Sequence, residues 1–166
     1  MAVNGAEELS AIVSRSLQAE YESVRVKVHG LVQGLSTDQL WQRPYPYGNS
    51  VGHLLLHLTG NLSYYIGAQI AGSGYVRNRP LEFSDTSRRP KDDVLRAFDE
   101  AVAMVVSTLR RHTAEDWHRP YEAVGSSVKD RVGIFVHCAA HADHHAGQMI
   151  YLCKQLALGG PGSPAR

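Results

Sequence analysis

The chain contains no apolar run near the ~20 residues needed to span a bilayer. Its opening stretch, Met1-Ala-Val-Asn-Gly-Ala-Glu-Glu8, is acidic and has no apolar segment, which argues against a secretory signal. Neither sign of charge dominates: 17 Lys and Arg stand against 16 Asp and Glu, for a net charge of +1. With no basic cluster in any one segment, there is no electrostatic footprint for nucleic acid. Cysteine is scarce. Cys138 and Cys153 are the only two, and on one helix they are too far apart to bridge, which fits a reduced cytoplasm. What remains is 166 residues with 43% hydrophobic and 20% charged content. That is enough for one core, expected over residues 1–158, followed by a Gly/Pro-rich flexible tail at 159–166.

Histidine is the one residue in excess. There are 9, and four fall in His137-Cys-Ala-Ala-His141-Ala-Asp-His144-His145-Ala-Gly-Gln148. On a helix, residues four apart share a face, so His137, His141, His144, His145 and Gln148 form a polar stripe. Apolar flanks at Val132–Val136 and Met149–Leu152 suggest that this helix is buried. Buried imidazoles without partners cost about 1–3 kcal/mol each, so the stripe calls for something to satisfy it. Three His pairs at four-residue spacing occur, His53/His57, His137/His141 and His141/His145, where chance places about half of one. Such a pair can bind one metal ion from one side. A third imidazole from a facing helix, His57 or His53, would complete a three-His site with open positions.

The rest of the chain reads as helices. Asn4 with Glu7 forms a capping box for the first. Its apolar stripe runs Leu9, Val13, Leu17, Tyr21, Val24, Val28, Leu31, Leu35. Ser50 caps the second, which runs to about Ala71 and carries His53, His57 and Asn61 on one face. Glycines at 52, 60 and 67 are poor helix formers and mark close approach of a neighbouring element. A polar crossover spans 72–89. Pro90 opens the third helix, with Val94, Phe98, Ala101, Val105, Thr108 and Leu109 on its inner stripe. The fourth is expected from about Ser127 to about Leu158. Thr113-Ala-Glu-Asp-Trp117-His-Arg-Pro-Tyr121 echoes Thr37-Asp-Gln-Leu-Trp41-Gln-Arg-Pro-Tyr45, a weak internal repeat of two helix–turn–helix halves. Trp41 and Trp117 are expected to plug equivalent corners. Cys138, off the polar stripe, reads as a small packing residue.

His141-x-x-x-His145-x-Gly-Gln148, together with Leu-Leu-Leu-His57-Leu, resembles the DinB/YfiT-like family of metalloenzymes. Further similarity lies in Ser50-Val-Gly, Thr59-Gly-Asn61-Leu and Arg77-Asn-Arg-Pro-Leu-Glu-Phe83. The resemblance implies an all-α, four-helix bundle in up-down-down-up order, with a long crossover between helices two and three. It also implies that His57, His141 and His145 are ligands of a divalent ion, zinc or nickel, with iron in distant relatives. Its characterised members include thiol-dependent S-transferases and isomerases that use bacillithiol, mycothiol or glutathione.

The expected function is therefore a divalent-metal-binding protein that transfers a low-molecular-weight thiol to small electrophiles. His53 and His137, each one turn from a ligand, are the candidate catalytic bases. Arg77, Arg79 or Arg88 on the crossover would pair with carboxylates of the thiol. The alternatives are a metal-dependent hydrolase and a non-catalytic metal-binding stress protein. The lack of an evident carboxylate base beside the triad keeps the last of these open. Expected partners are a small-molecule substrate and a second copy in a homodimer, with neither nucleic acid nor membrane.

Overall fold

A computed structural model describes residues 5–159. The Asn4 cap and all of the expected tail except Gly159 lie outside the described residues. Their regular elements are helices: α1 Gly5–Val32, α2 Thr37–Trp41, α3 Val51–Leu62, α4 Arg79–Ser84, α5 Lys91–Arg111, α6 Ala114–His118 and α7 Arg131–Ala157. None is long and apolar enough to cross a membrane. The four longest pack in a ring, α1 against α5 and α7, and α3 against α5 and α7.

The core is filled by Tyr21, Leu55, Leu58, Phe98, Leu109, Ile134, Phe135 and Met149, all nearly inaccessible. Each large apolar side chain buried in this way contributes about 1.5–3 kcal/mol. The α5 stripe lies inside as expected. Its ends suit the helix dipole, with Asp92 and Asp93 in the first turn and Arg110 and Arg111 in the last. The stripe of α1 holds from Tyr21 onward, but its first turns rotate. Leu9 is 62% exposed, while Ser10 and Ser14 are buried. The two serines face polar work inside: Ser10 accepts from Trp117 Nε1 and Ser14 donates to the Leu109 carbonyl.

The repeat is physical. The short helices α2 and α6 both open with a full capping box, Ser36 with Gln39 and Thr113 with Asp116. The cap shifts by one residue between the copies, yet both tryptophans end up buried. Trp41 Nε1 donates to the Arg89 carbonyl at 2.9 Å and Trp117 Nε1 to Ser10 Oγ at 3.0 Å. Gly52 is where Trp41 lands: a Cβ there would sit 2.7 Å from its ring.

Three expectations change. The second long helix is α-helical only to Leu62 and continues as a π-helical turn, Ser63–Ala68. The crossover is not featureless, because Asn78 caps α4 by accepting from Leu81 N, with Pro80 in its first turn. The last long helix starts at Arg131, not Ser127. Tyr121 N donates to Lys129 O in an isolated antiparallel bridge that holds the preceding residues extended, and Asp130 is the cap.

Candidate metal centre

The polar stripe of α7 is not buried as a whole. The inward face is Ile134, Phe135, Cys138, Ala139, Ala142, Ala146 and Met149. His137, His144 and Gln148 are exposed, with His141 and His145 half-buried between. Small residues at 138, 139, 142 and 146 let α7 settle closely into the bundle, and that rotates the stripe to the rim. Cys138 is fully buried, as expected of a packing residue. Burial pushes its thiol up to about 12, so it is no thiolate.

At the rim, α3 delivers His57 to the α7 pair. One ligand nitrogen from each of His57, His141 and His145 lies within 4.8 Å of the other two. The three rings face one another nearly at right angles, 73° and 85° for His57 on His141 and His145, and 90° between the α7 pair. His57 Nε2 and His141 Nε2 are 2.9 Å apart.

Proton positions follow from the surrounding acceptors. His57 Nδ1 faces Glu82 Oε2 at 2.8 Å; a carboxylate only accepts, so Nδ1 carries the proton and Nε2 is bare. His145 Nδ1 faces Gln148 Oε1 at 2.8 Å, and the same reasoning bares its Nε2. Two imidazole lone pairs therefore converge with a third ring. The two α7 rings also resist protonation. Burial, then the neighbouring imidazoles of His145 and His57, pushes His141 down to about 4. Burial first, then the same crowding, lowers His145 against the bond it donates to Gln148. Three converging imidazole nitrogens, His57 buried and His141 and His145 half-buried, fit a divalent cation.

Glu82 is the residue that sequence reasoning missed, and it supplies the carboxylate thought absent beside the triad. It is 6% exposed. Its second partner is Arg77, through Nε to Oε1 at 2.7 Å and Nη2 to Oε2 at 2.9 Å. Burial would raise its pKa; the bonds from His57 and Arg77 outweigh this and hold it below the ordinary carboxylate value. So Glu82 is an ionised orienting group and not a free base. Space for it comes from Gly60, where a Cβ would lie 2.9 Å from Glu82 Cδ and closer still to Oε1. The signal was there to read: Asn78, Pro80 and an acid in the first turn form a helix start, and Gly60 on α3 marked a close approach.

Arg77 is therefore tied internally to Glu82, with the Tyr65 ring 5.5 Å beneath its guanidinium. Arg79 lies over Phe83, whose ring is 4.7 Å from His57. Arg88 sits away from the triad, beside Asp38. His53 is also held apart. Its Nδ1 accepts from Ser50 Oγ at 2.6 Å and its Nε2 donates to the Asp85 carbonyl at 3.0 Å. Burial lowers its pKa. His137 stacks on His141 from the solvent side, with centroids 6.2 Å apart and planes 10° from parallel. His144 takes the other end of the Gln148 amide. Asp143 turns from the stripe, as expected, to Lys27. Asn61 is buried with its Oδ1 lacking a partner.

Solved structures share this architecture. A conserved protein from Enterococcus faecalis superposes with a TM-score of 0.71 at 14% identity, over 87% of this chain and 96% of that one. A DinB-like protein from Bacillus cereus gives 0.65 at 17%, over 90% and 94%. At such identities they attest the fold. No curated protein matches the chain. The model of the DinB superfamily matches residues 20–149, a span that takes in His57, Glu82, His141 and His145, and the chain belongs to that superfamily.

Proposed function

We propose that His57, His141 and His145 hold a divalent ion, zinc or nickel before iron, and that the site transfers a low-molecular-weight thiol to small electrophiles. The carrying observation is the convergence of three imidazole nitrogens, two of them bared by acceptors on the far side of the ring. An ion held there would supply Lewis acidity, lowering the pKa of a thiol or water presented to it towards ~7. The chain's own residues do the rest. Glu82 and Gln148 fix the rings of His57 and His145, and Arg77 fixes Glu82. Phe83, against His57, keeps bulk water from one flank. The rim position of His141 and His145 leaves the other side accessible to a substrate.

The up-down-down-up order belongs to this reading. It is supported by Tyr21 meeting Phe135, Lys27 meeting Asp143 and Leu31 meeting Cys153, so that α1 and α7 advance together. A homodimer in a reducing cytoplasm completes it. Val26, Val132 and Val136 are exposed apolar side chains available to a contact, and both cysteines are free.

The test is consumption of bacillithiol, mycothiol or glutathione with monochlorobimane by the metal-loaded protein. At least one thiol should react faster than with His145→Ala. Equal rates across the panel would remove the transferase. A metal-dependent hydrolase is the second reading. It is favoured by His137, whose exposed ring over His141 is placed to take a proton, whereas both nitrogens of His53 are engaged.

A further inference from the structure

A cleft of about 730 Å³ opens between α2 and the end of the crossover, with His53 at its floor. That volume lies in the range of small-molecule sites, about 300–1,000 Å³. The floor is uncharged and flat-sided: Trp41 stands edge-on to His53 with centroids 5.3 Å apart. His53 is a neutral ring with both nitrogens satisfied by Ser50 and Asp85. The rim carries two arginines, Arg43 and Arg88, and two aspartates, Asp38 and Asp85. Arg43 is anchored from one wall, its Nη2 donating to the Phe83 carbonyl at 2.9 Å, which leaves its other N–H groups free. Arg88 comes from the opposite wall. It forms an exposed ion pair with Asp38 at 3.9 Å, too long for a hydrogen bond, so its N–H groups remain available. The other acid of the lining, Asp85, is turned onto the Ser87 amide and Arg89.

The backbone adds a second observation. Arg88 has φ +49°, the only non-glycine residue in the left-handed region among the described residues. A side chain other than glycine is disfavoured there, and such outliers gather at binding sites. Glycine would remove the strain but also the guanidinium.

We infer that this cleft binds a small aryl or short-chain oxyanion, a carboxylate or a phosphate ester, with the anion between Arg43 and Arg88 and its apolar part towards the floor where the edges of Trp41 and His53 surface. Bidentate guanidinium bonds recognise both kinds of anion. The site is separate from the triad and does not depend on what the triad does.

Benzoate and phenyl phosphate are the probes, titrated into the full chain as a Trp117→Phe variant so that Trp41 is the sole indole. Saturable quenching that weakens with added salt is expected from at least one. Benzoate alone would mark a carboxylate site, phenyl phosphate alone a phosphate-ester site. Arg43→Gln and Arg88→Gln should each weaken binding at least tenfold. Arg88→Gly should weaken it as much while raising the melting temperature. His145→Ala should leave it unchanged, which separates this site from the proposed metal chemistry. Quenching that never saturates, or affinity that survives the arginine substitutions, would overturn the assignment.

Discussion

Gly60 and Glu82 compete for one volume: the carboxylate that orients His57 stands where a side chain at position 60 would begin. Position 60 on α3 therefore controls a contact made by α4. Gly60→Ala should push the carboxylate off His57. Metal affinity should fall about 10–100-fold, the range for losing an outer partner of a ligand histidine. Overpacking should also cost about 1–3 kcal/mol. Gly147→Ala is the control, since its Cβ would meet nothing within 4 Å. It should gain up to about 1 kcal/mol of helix stability. Equilibrium metal titration and urea unfolding of both variants check the pair.

The Arg77–Glu82 pair is the second test. Both side chains are at most 9% exposed, so removing one partner strands a buried charge, at about 3–5 kcal/mol. Glu82→Gln and Arg77→Met should each destabilise by that order. The double variant should lose less than the sum, because no unpaired charge is left. A double-mutant cycle by denaturation measures the coupling; additive losses would mean that the pair contributes nothing as a pair.

The ligand set is the third. His57→Ala, His141→Ala and His145→Ala should each abolish stoichiometric metal in the purified protein. His137→Ala and His144→Ala should retain it, since His137 only stacks on a ligand and His144 bonds to Gln148. Elemental analysis per chain reads this directly. Unchanged metal in all three triad variants would show that the ion sits elsewhere.

The fourth concerns acid. Burial lowers the pKa of His53, His112, His141 and His145, His141 to about 4. In the unfolded chain each titrates near about 6.5. Above that value neither state is charged and the groups are neutral to stability. As pH falls, the unfolded chain takes up protons that the folded chain refuses, so metal-free stability should decline from about pH 6.5 down to about 4. Glu82, Asp85 and Asp116, all lowered, add a further loss at still lower pH. Urea midpoints in chelator from pH 7.5 to 4.5 should show the slope, and His141→Ala should flatten part of it. A level profile would contradict the lowered histidines.

Much of this was legible from local pattern. Four-residue spacing put His141 and His145 on one face, and the Trp-x-x-Pro echo located two buried corners. Ser50 and Pro90 marked helix starts. What failed was long-range. Ser10 and Ser14 displaced Leu9 from the core because Trp117 Nε1 and the Leu109 carbonyl, about a hundred residues on, needed partners there. The α7 stripe was placed too deep because Cys138, Ala142 and Ala146 are weak markers of burial, yet they form its inner face. Glu82 was overlooked because an acid on a polar crossover looks solvated. Only its approach to Gly60 and Arg77 takes it from water.

The two tryptophans carry a last consequence. Trp41, from the first half of the repeat, finds its acceptor on Arg89, which leads into the second half; Trp117, from the second, finds its acceptor on Ser10 in the first. The halves are thus interlocked by exchange and not merely stacked. Severed at the exposed Gly74 on the crossover, each piece would keep a buried indole N–H whose acceptor had left with the other, at about 1–3 kcal/mol apiece. Such pieces would behave as complementing fragments, each supplying what the other's corner lacks, and the triad, with His57 on one piece and His141 and His145 on the other, would assemble only when they meet.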